Sequence, residues 1–221
     1  MPPSDPSPSM SQPQSTLPTP APWMPPSPLP EAFHTDRLTI RFYQASDSAA
    51  FYEMIASSRA SFQPWLPWAA SEHLAPEQSV YFIEKFRRTR IEPAANDFTM
   101  GIFDRNTGAP LGGTGLHRIM PATHEGEIGY YVRADAQNKG ICTEATRGLI
   151  TWALTPQDKG GWGLRRIHIR CAARNLASQR VPRKLGLREE ARLVQERWTP
   201  GLGWEDTLVW GVLADEWKFD R

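Results

Sequence analysis

An excess of charge of one sign is missing from this chain. Its 221 residues carry Lys+Arg 25 against Asp+Glu 24. Phosphate attraction scales with clustered Lys and Arg, so this balance offers no basis for a nucleic-acid partner. Cysteine is nearly missing too. Cys142 and Cys171 make no disulfide framework, and the expected compartment is a reducing cytoplasm. No apolar run approaches the length of a membrane span, and the first residues have neither a basic nor an apolar signal region. No membrane partner is therefore expected. The histidines His34, His73, His117, His124 and His168 lack His-x-x-x-His spacing, and with no Cys-x-x-Cys pair a metal is not expected. No Gly-x-Ser-x-Gly elbow is present. Lys139-Gly140-Ile141 has the wrong order for a Walker A loop, and Gly113-Thr114-Gly115 leads to Arg118 where a dinucleotide fingerprint needs its third glycine.

Proline is abundant but confined. Twelve of the 21 prolines fall in residues 1–30, beside six serines and the single charge of Asp5. Such a stretch buries too little apolar surface to offset its ordering entropy and is expected to be a disordered tail. Trp23-Met24 is its one candidate for docking. The remainder has the length of one domain with a sizeable core, expected over 34–215.

Periodicity orders that domain. Leu38-Thr39-Ile40-Arg41-Phe42 alternates as a strand does. Ser46-Asp47 open a helix bearing Phe51, Met54 and Ile55, and a second helix begins near Pro76 with Val80, Ile83 and Phe86 on one face. Phe98–Phe103, Leu111–Ile119 and Glu127–Val132 read as an antiparallel meander. Ile141–Leu154 is a helix, Leu164–Ala173 a strand, and Leu176–Leu185 a helix closed by Gly186. Leu193–Trp198 and Thr207–Leu213 pair around Pro200-Gly201-Leu202-Gly203. The class is α/β (or α+β), with a mixed, mostly antiparallel sheet of about seven strands flanked by helices.

One segment invites chemistry. Gln137-Asn138-Lys139-Gly140-Ile141-Cys142-Thr143 joins a strand to a helix, where free N–H groups and a partial positive charge suit a phosphate. It reads equally as a Gly140 turn with a Thr143 cap. Asn175 to Ser178 opens the later helix, so a strand, a loop with its helix and an Asn-led helix frame a bipartite cleft. Cys142 is either a small hydrophobe or a thiol activated beside a phosphate. Pro182, four residues beyond Ser178, removes the N–H that the Ser178 carbonyl would accept in an unbroken helix.

In this arrangement the chain resembles the GNAT superfamily of N-acetyltransferases, and within it the RimJ/RimL type that acetylates protein N-termini. The similarity covers roughly residues 34–215. Thr35-Asp36-Arg37-Leu38-Thr39-Ile40-Arg41 is similar to that group's opening strand and Pro64-Trp65-Leu66-Pro67-Trp68 to its tryptophan-bearing loop. Glu127-Ile128-Gly129-Tyr130-Tyr131-Val132 matches the central strand, Gln137 to Cys142 the pyrophosphate loop, and Asn175 with Ser178 the Asn-x-x-Ser beside the thioester.

The resemblance implies a GNAT acyltransferase fold and acetyl-CoA as the acyl donor. It implies that Tyr130, Tyr131, Val132, Gln137, Asn138, Lys139, Gly140, Ile141, Cys142, Thr143 and Asn175 hold that donor. Ser178 is implied as the acid for the departing thiolate, although Asn175 reads also as a plain N-cap. Glu127 and Glu196 are the candidate bases, with Arg197 standing where the resemblance places the late-strand carboxylate. Trp65 and Trp68 either wall the acceptor pocket or pack an irregular loop. The acceptor is expected to be the α-amine of a protein N-terminus or a small-molecule amine, and the alternative is a non-catalytic acyl-CoA-binding scaffold. The Trp-rich loop and the late hairpin are candidate homodimer surfaces.

Overall fold

Leu38, Ile40 and Phe42 are buried while Thr39 and Arg41 are half-buried, the alternation of a strand with one face against a core. A computed structural model describes residues 19–199 and 201–219. Its strands are β1 (Ala32–His34), β2 (Leu38–Phe42), β3 (Phe98–Asp104), β4 (Pro110–Met120), β5 (Glu125–Val132), β6 (Arg166–Ala172), β7 (Arg188–Thr199) and β8 (Gly203–Leu213). Its α-helices are α1 (Ser48–Phe62), α2 (Pro76–Thr89), α3 (Ile141–Leu154) and α4 (Leu176–Leu185). The sheet order is β1-β2-β3-β4-β5-β6-β8-β7. Every pairing is antiparallel except that of β5 with β6, which α3 connects as parallel strands require.

Among the described residues the sheet has eight strands, against an expectation of about seven. The additional one, β1, is three residues long, too short for a period to show. The two faces carry separate cores. Ile128 and Val132 of β5 join the strands, α3 and α4 in one cluster, with Tyr130 packed against it. Tyr43, Phe51, Met54, Ile55, Phe62 and Ile83 form the other beneath α1 and α2, with Tyr131 against it.

Two local readings change. On α2, Ser79 and Ile83 turn inward while Val80 stays exposed. Ser79 is tolerated inside because its hydroxyl pairs with Nδ1 of His73 at 2.9 Å. In the stretch read as a tail, residues 1–18 lie outside the described residues, but Trp23 is buried. Its indole stacks on Trp162 at 6.3 Å and donates to the Trp162 carbonyl at 2.7 Å. A buried indole supplies a large apolar area once its N–H is satisfied, and this one fastens the chain ahead of β1. At the far edge, Trp198 and Trp204 pack on each other at 5.5 Å and remain exposed.

Candidate active site

The parallel pairing of β5 and β6 is brief. It runs from Glu125 opposite Arg166 to Glu127 opposite His168 and then stops, although both strands continue. From Ile128 to Val132, β5 keeps only β4 as a partner. Its other edge faces a gap, leaving N–H and C=O groups free to pair with an extended ligand. The gap opens into a cleft of about 760 Å³.

One end of the cleft is made of backbone. Asn138 and Gly140 both adopt left-handed conformations, with φ of 59° and 79°. The first helical bond of α3 is Glu144 N–H to the Gly140 carbonyl, 3.0 Å, so the amides of Ile141, Cys142 and Thr143 precede it. Glu144 would oppose an anion here, but it is neutralised. It accepts from Arg37 Nε at 2.7 Å and from the Thr35 hydroxyl at 2.5 Å, while Arg37 Nη1 also donates to the Lys139 carbonyl at 3.1 Å. Burial raises the Glu144 carboxyl, and the bonds from Thr35 and Arg37 outweigh it, leaving it below its ordinary value. Arg180 and Lys184, one turn apart on α4, line the same cleft. The Cys142 thiol is pushed up to about 12 by burial, so it is a protonated hydrophobe and not an activated nucleophile.

Across the gap, α4 begins with Asn175, whose side-chain oxygen accepts the Ser178 N–H at 3.0 Å. The Ser178 carbonyl, deprived of its helical donor by Pro182, accepts the Tyr130 hydroxyl at 2.8 Å. The Ser178 hydroxyl in turn donates to the Tyr130 oxygen at 3.3 Å. Tyr130 therefore spans the gap from β5 to α4 and fills the defect that the proline creates. Burial drives its phenol well above the ordinary value, so it stays a neutral donor.

The opposite face of the sheet forms the other end of the cleft, and here side chains do the building. Tyr131 packs edge-on against Phe62 at 5.2 Å and Trp68 at 5.4 Å. Glu127 binds Arg118 at 2.8 Å and lies 3.5 Å from Nε2 of His168. Burial raises the Glu127 carboxyl, but His168 and Arg118 outweigh it and hold it below its ordinary value. Glu196 is held low first by the Thr207 hydroxyl, which donates at 2.7 Å, and then by Arg170 at 2.5 Å. A bulge between Leu193 and Arg197, with Gln195 at a φ of 48°, breaks the strand alternation. That shift delivers Glu196 to the cleft although its position in a regular strand would be off by one.

Of the residues singled out from sequence, Ser178, Glu127, Glu196, Tyr130, Tyr131, Val132, Gln137, Asn138, Gly140, Ile141, Cys142, Thr143, Asn175, Trp65 and Trp68 all border this one cleft. Lys139 does not. Its side chain is exposed and only its carbonyl is engaged, by Arg37. Arg37, Glu144, Asp97 and His117 were not legible as site residues. The acid in the first turn of α3 was the available signal for the Arg37 pair.

The gap, with an anion-seeking helix end and the Ser178 hydroxyl on one face of the sheet and carboxylates on the other, marks a class of α/β protein with a split-sheet ligand cleft. Comparison with known families makes the class particular: residues 37–188 match the acetyltransferase (GNAT) domain. That is more than half of the chain, which belongs to the GNAT acetyltransferases. It is 26% identical over 186 residues to YdaF of Bacillus subtilis (strain 168), a candidate ribosomal N-acetyltransferase, covering 84% of this chain and 96% of YdaF. Two solved structures share the fold. RimL, an α-N-protein acetyltransferase of a ribosomal protein held with coenzyme A, superposes with a TM-score of 0.74 at 21% identity, over 84% of this chain and 99% of RimL. Mycobacterium smegmatis RimJ gives 0.71 at 21% identity, over 81% and 83%.

Proposed function

We propose that this protein moves the acetyl group of acetyl-CoA directly to the α-amine of a protein or peptide N-terminus. The observation that carries this reading is the gap between β5 and β6, closed at one end by the α3 amides and bridged by Tyr130 to Ser178. The α3 amides with Arg180 and Lys184 would hold the phosphates of the donor. The free edge of Ile128–Val132 would pair with its pantetheine arm and polarise the thioester carbonyl. Ser178 would protonate the departing thiolate. Glu127 and Glu196, read from sequence as bases, are held as anions by His168 with Arg118 and by the Thr207 hydroxyl with Arg170, which makes them weak proton acceptors and better partners for an incoming ammonium. The likeness to YdaF and RimL favours a protein acceptor over a small amine. No helix among the described residues is long and apolar enough to cross a membrane, and we place the reaction in the cytoplasm.

The test is acetyl transfer to a panel of peptides with free N-termini beside small amines, read by release of CoA and by mass. The expected result is N-terminal acetylation, with Ser178→Ala lowering kcat about 100-fold and leaving acetyl-CoA affinity unchanged. Acetylation of small amines alone would replace the acceptor reading. Binding of acetyl-CoA with no acceptor turned over would favour a scaffold.

A further inference from the structure

His117 faces the acceptor end of the cleft on a platform built for it. Gly115 of β4 and Gly129 of β5 stand opposite each other in the antiparallel register, an arrangement that removes both side chains from one patch of the sheet. The imidazole of His117 occupies that patch. A methyl group added at Gly115 would lie 2.8 Å from Cε1 and Nε2 of the ring, and one added at Gly129 would lie 3.7 Å from Nε2. Facing glycines weaken a strand pair; at Gly115 the space a side chain would need is taken by the ring and by the Phe98 carbonyl oxygen, 2.6 Å away, while at Gly129 the ring sits at ordinary contact distance. Gly129 lies within the part of β5 that borders the gap.

The ring is also oriented. Nδ1 of His117 lies 2.9 Å from Oδ1 of Asp97, and a carboxylate accepts only, so Nδ1 carries the proton and Nε2 presents its lone pair. Among the described residues Nε2 has no hydrogen-bond partner, and His117 and Asp97 both border the cleft. We propose that His117, positioned by Asp97, is the general base that accepts the proton of the acceptor amine at Nε2.

This assignment rests on the acetyl-transfer reading above. The acceptor ammonium first gives one proton to solvent; the lone pair of the neutral amine then forms the C–N bond, and the C–S bond breaks with its electron pair on the CoA sulfur. One proton passes from nitrogen to Nε2, and one reaches sulfur through the Ser178 hydroxyl. Ser178 is resupplied from water as His117 returns its proton to solvent. Base and acid then stand on opposite faces of the sheet, His117 with Glu127 and Trp68, Ser178 with Tyr130, joined by the gap. The charged and titratable groups facing His117 are Asp97 ahead of β3, Arg118 on its own strand, Glu127 opposite it on β5, and His168 beyond Glu127 on β6.

Two measurements on the full-length protein test the proposal. In ¹⁵N-histidine NMR near neutral pH, His117 is expected as the Nδ1–H tautomer, and Asp97→Asn is expected to disturb that state. With a peptide of free N-terminus as the probe, the acidic limb of kcat/KM against pH is expected to vanish in His117→Gln. Its kcat should fall about 100-fold or more, with acetyl-CoA affinity intact, and Asp97→Asn should fall less. A tautomer protonated at Nε2, or a His117→Gln profile unchanged from the native one, overturns the base assignment. Native enzyme that acetylates no amine overturns the acetyl-transfer reading and the base role with it. Loss in Ser178→Ala without loss in His117→Gln overturns the base role alone.

Discussion

The two ends of the cleft are made of different material. The donor end is backbone: left-handed Asn138 and Gly140, the first amides of α3, the free edge of β5. The acceptor end is side chains drawn from distant positions, Asp97 onto His117 and Arg170 onto Glu196. Backbone sites need glycines and small residues at fixed spacing, so they leave a short motif behind. A side-chain site can be assembled from any positions that the fold brings together, so it leaves none. Tyr130 spans the gap on the α3/α4 side by bonding Ser178.

The largest effect is expected at the donor end. Gly140→Val forces a β-branched residue to a φ of 79°, a conformation such residues resist, so the loop is disturbed. Saturating acetyl-CoA near 1,000 Kd should stabilise the native protein by about 4.1 kcal/mol, and Gly140→Val should lose this shift in thermal unfolding. Gly140→Asn, which tolerates the left-handed region, should keep much of it. An unimpaired shift in Gly140→Val would remove the backbone distinction between the two ends.

The next effect belongs to the acceptor end and is one of stability. His73 is buried against Phe51, Trp68 and Phe82, so it supports the tryptophan loop. Burial, and then Arg59, lower its pKa from 6.5 to about 4. The folded state therefore binds this proton less readily than the unfolded chain does. The resulting stability is complete above 6.5 and is lost as the pH falls toward about 4, by up to roughly 3 kcal/mol. Urea unfolding across that range should show a slope that His73→Gln flattens. Equal slopes in both proteins would dissociate His73 from the acid response.

The smallest effect sharpens the bridge. Tyr130→Phe leaves the Ser178 carbonyl without a donor, at about 1–3 kcal/mol. Adding Pro182→Ala returns a helical N–H to that carbonyl, and the double variant should recover part of both the stability and kcat. A double-mutant cycle with no coupling would mean that Tyr130 does not compensate for Pro182.

The same contrast explains what was legible in the sequence. Ile141–Leu154 and Leu176–Leu185 coincide with α3 and α4, because apolar spacing, Gly140 and Gly186 mark their limits locally. The turn at Gly140 ahead of α3 was legible for the same reason. Trp23 was not, since its place depends on Trp162, 139 residues away. Nor was the position of Glu196, which depends on a bulge at Gln195 that alternation alone does not reveal. Val80 was read inward because a buried Ser79 is explicable only once His73 lies beside it. His117 stands in a strand of glycines, and neither spacing nor period reveals that Gly115 faces Gly129 across β4 and β5.

Hydrogen exchange with and without acetyl-CoA tests the central claim most directly, because it reports where the donor lies. The predicted result is new protection confined to the amides of 128–132 on β5 and 141–143 at the start of α3. Protection elsewhere with these amides unchanged, or no protection at saturating acetyl-CoA, would contradict the account.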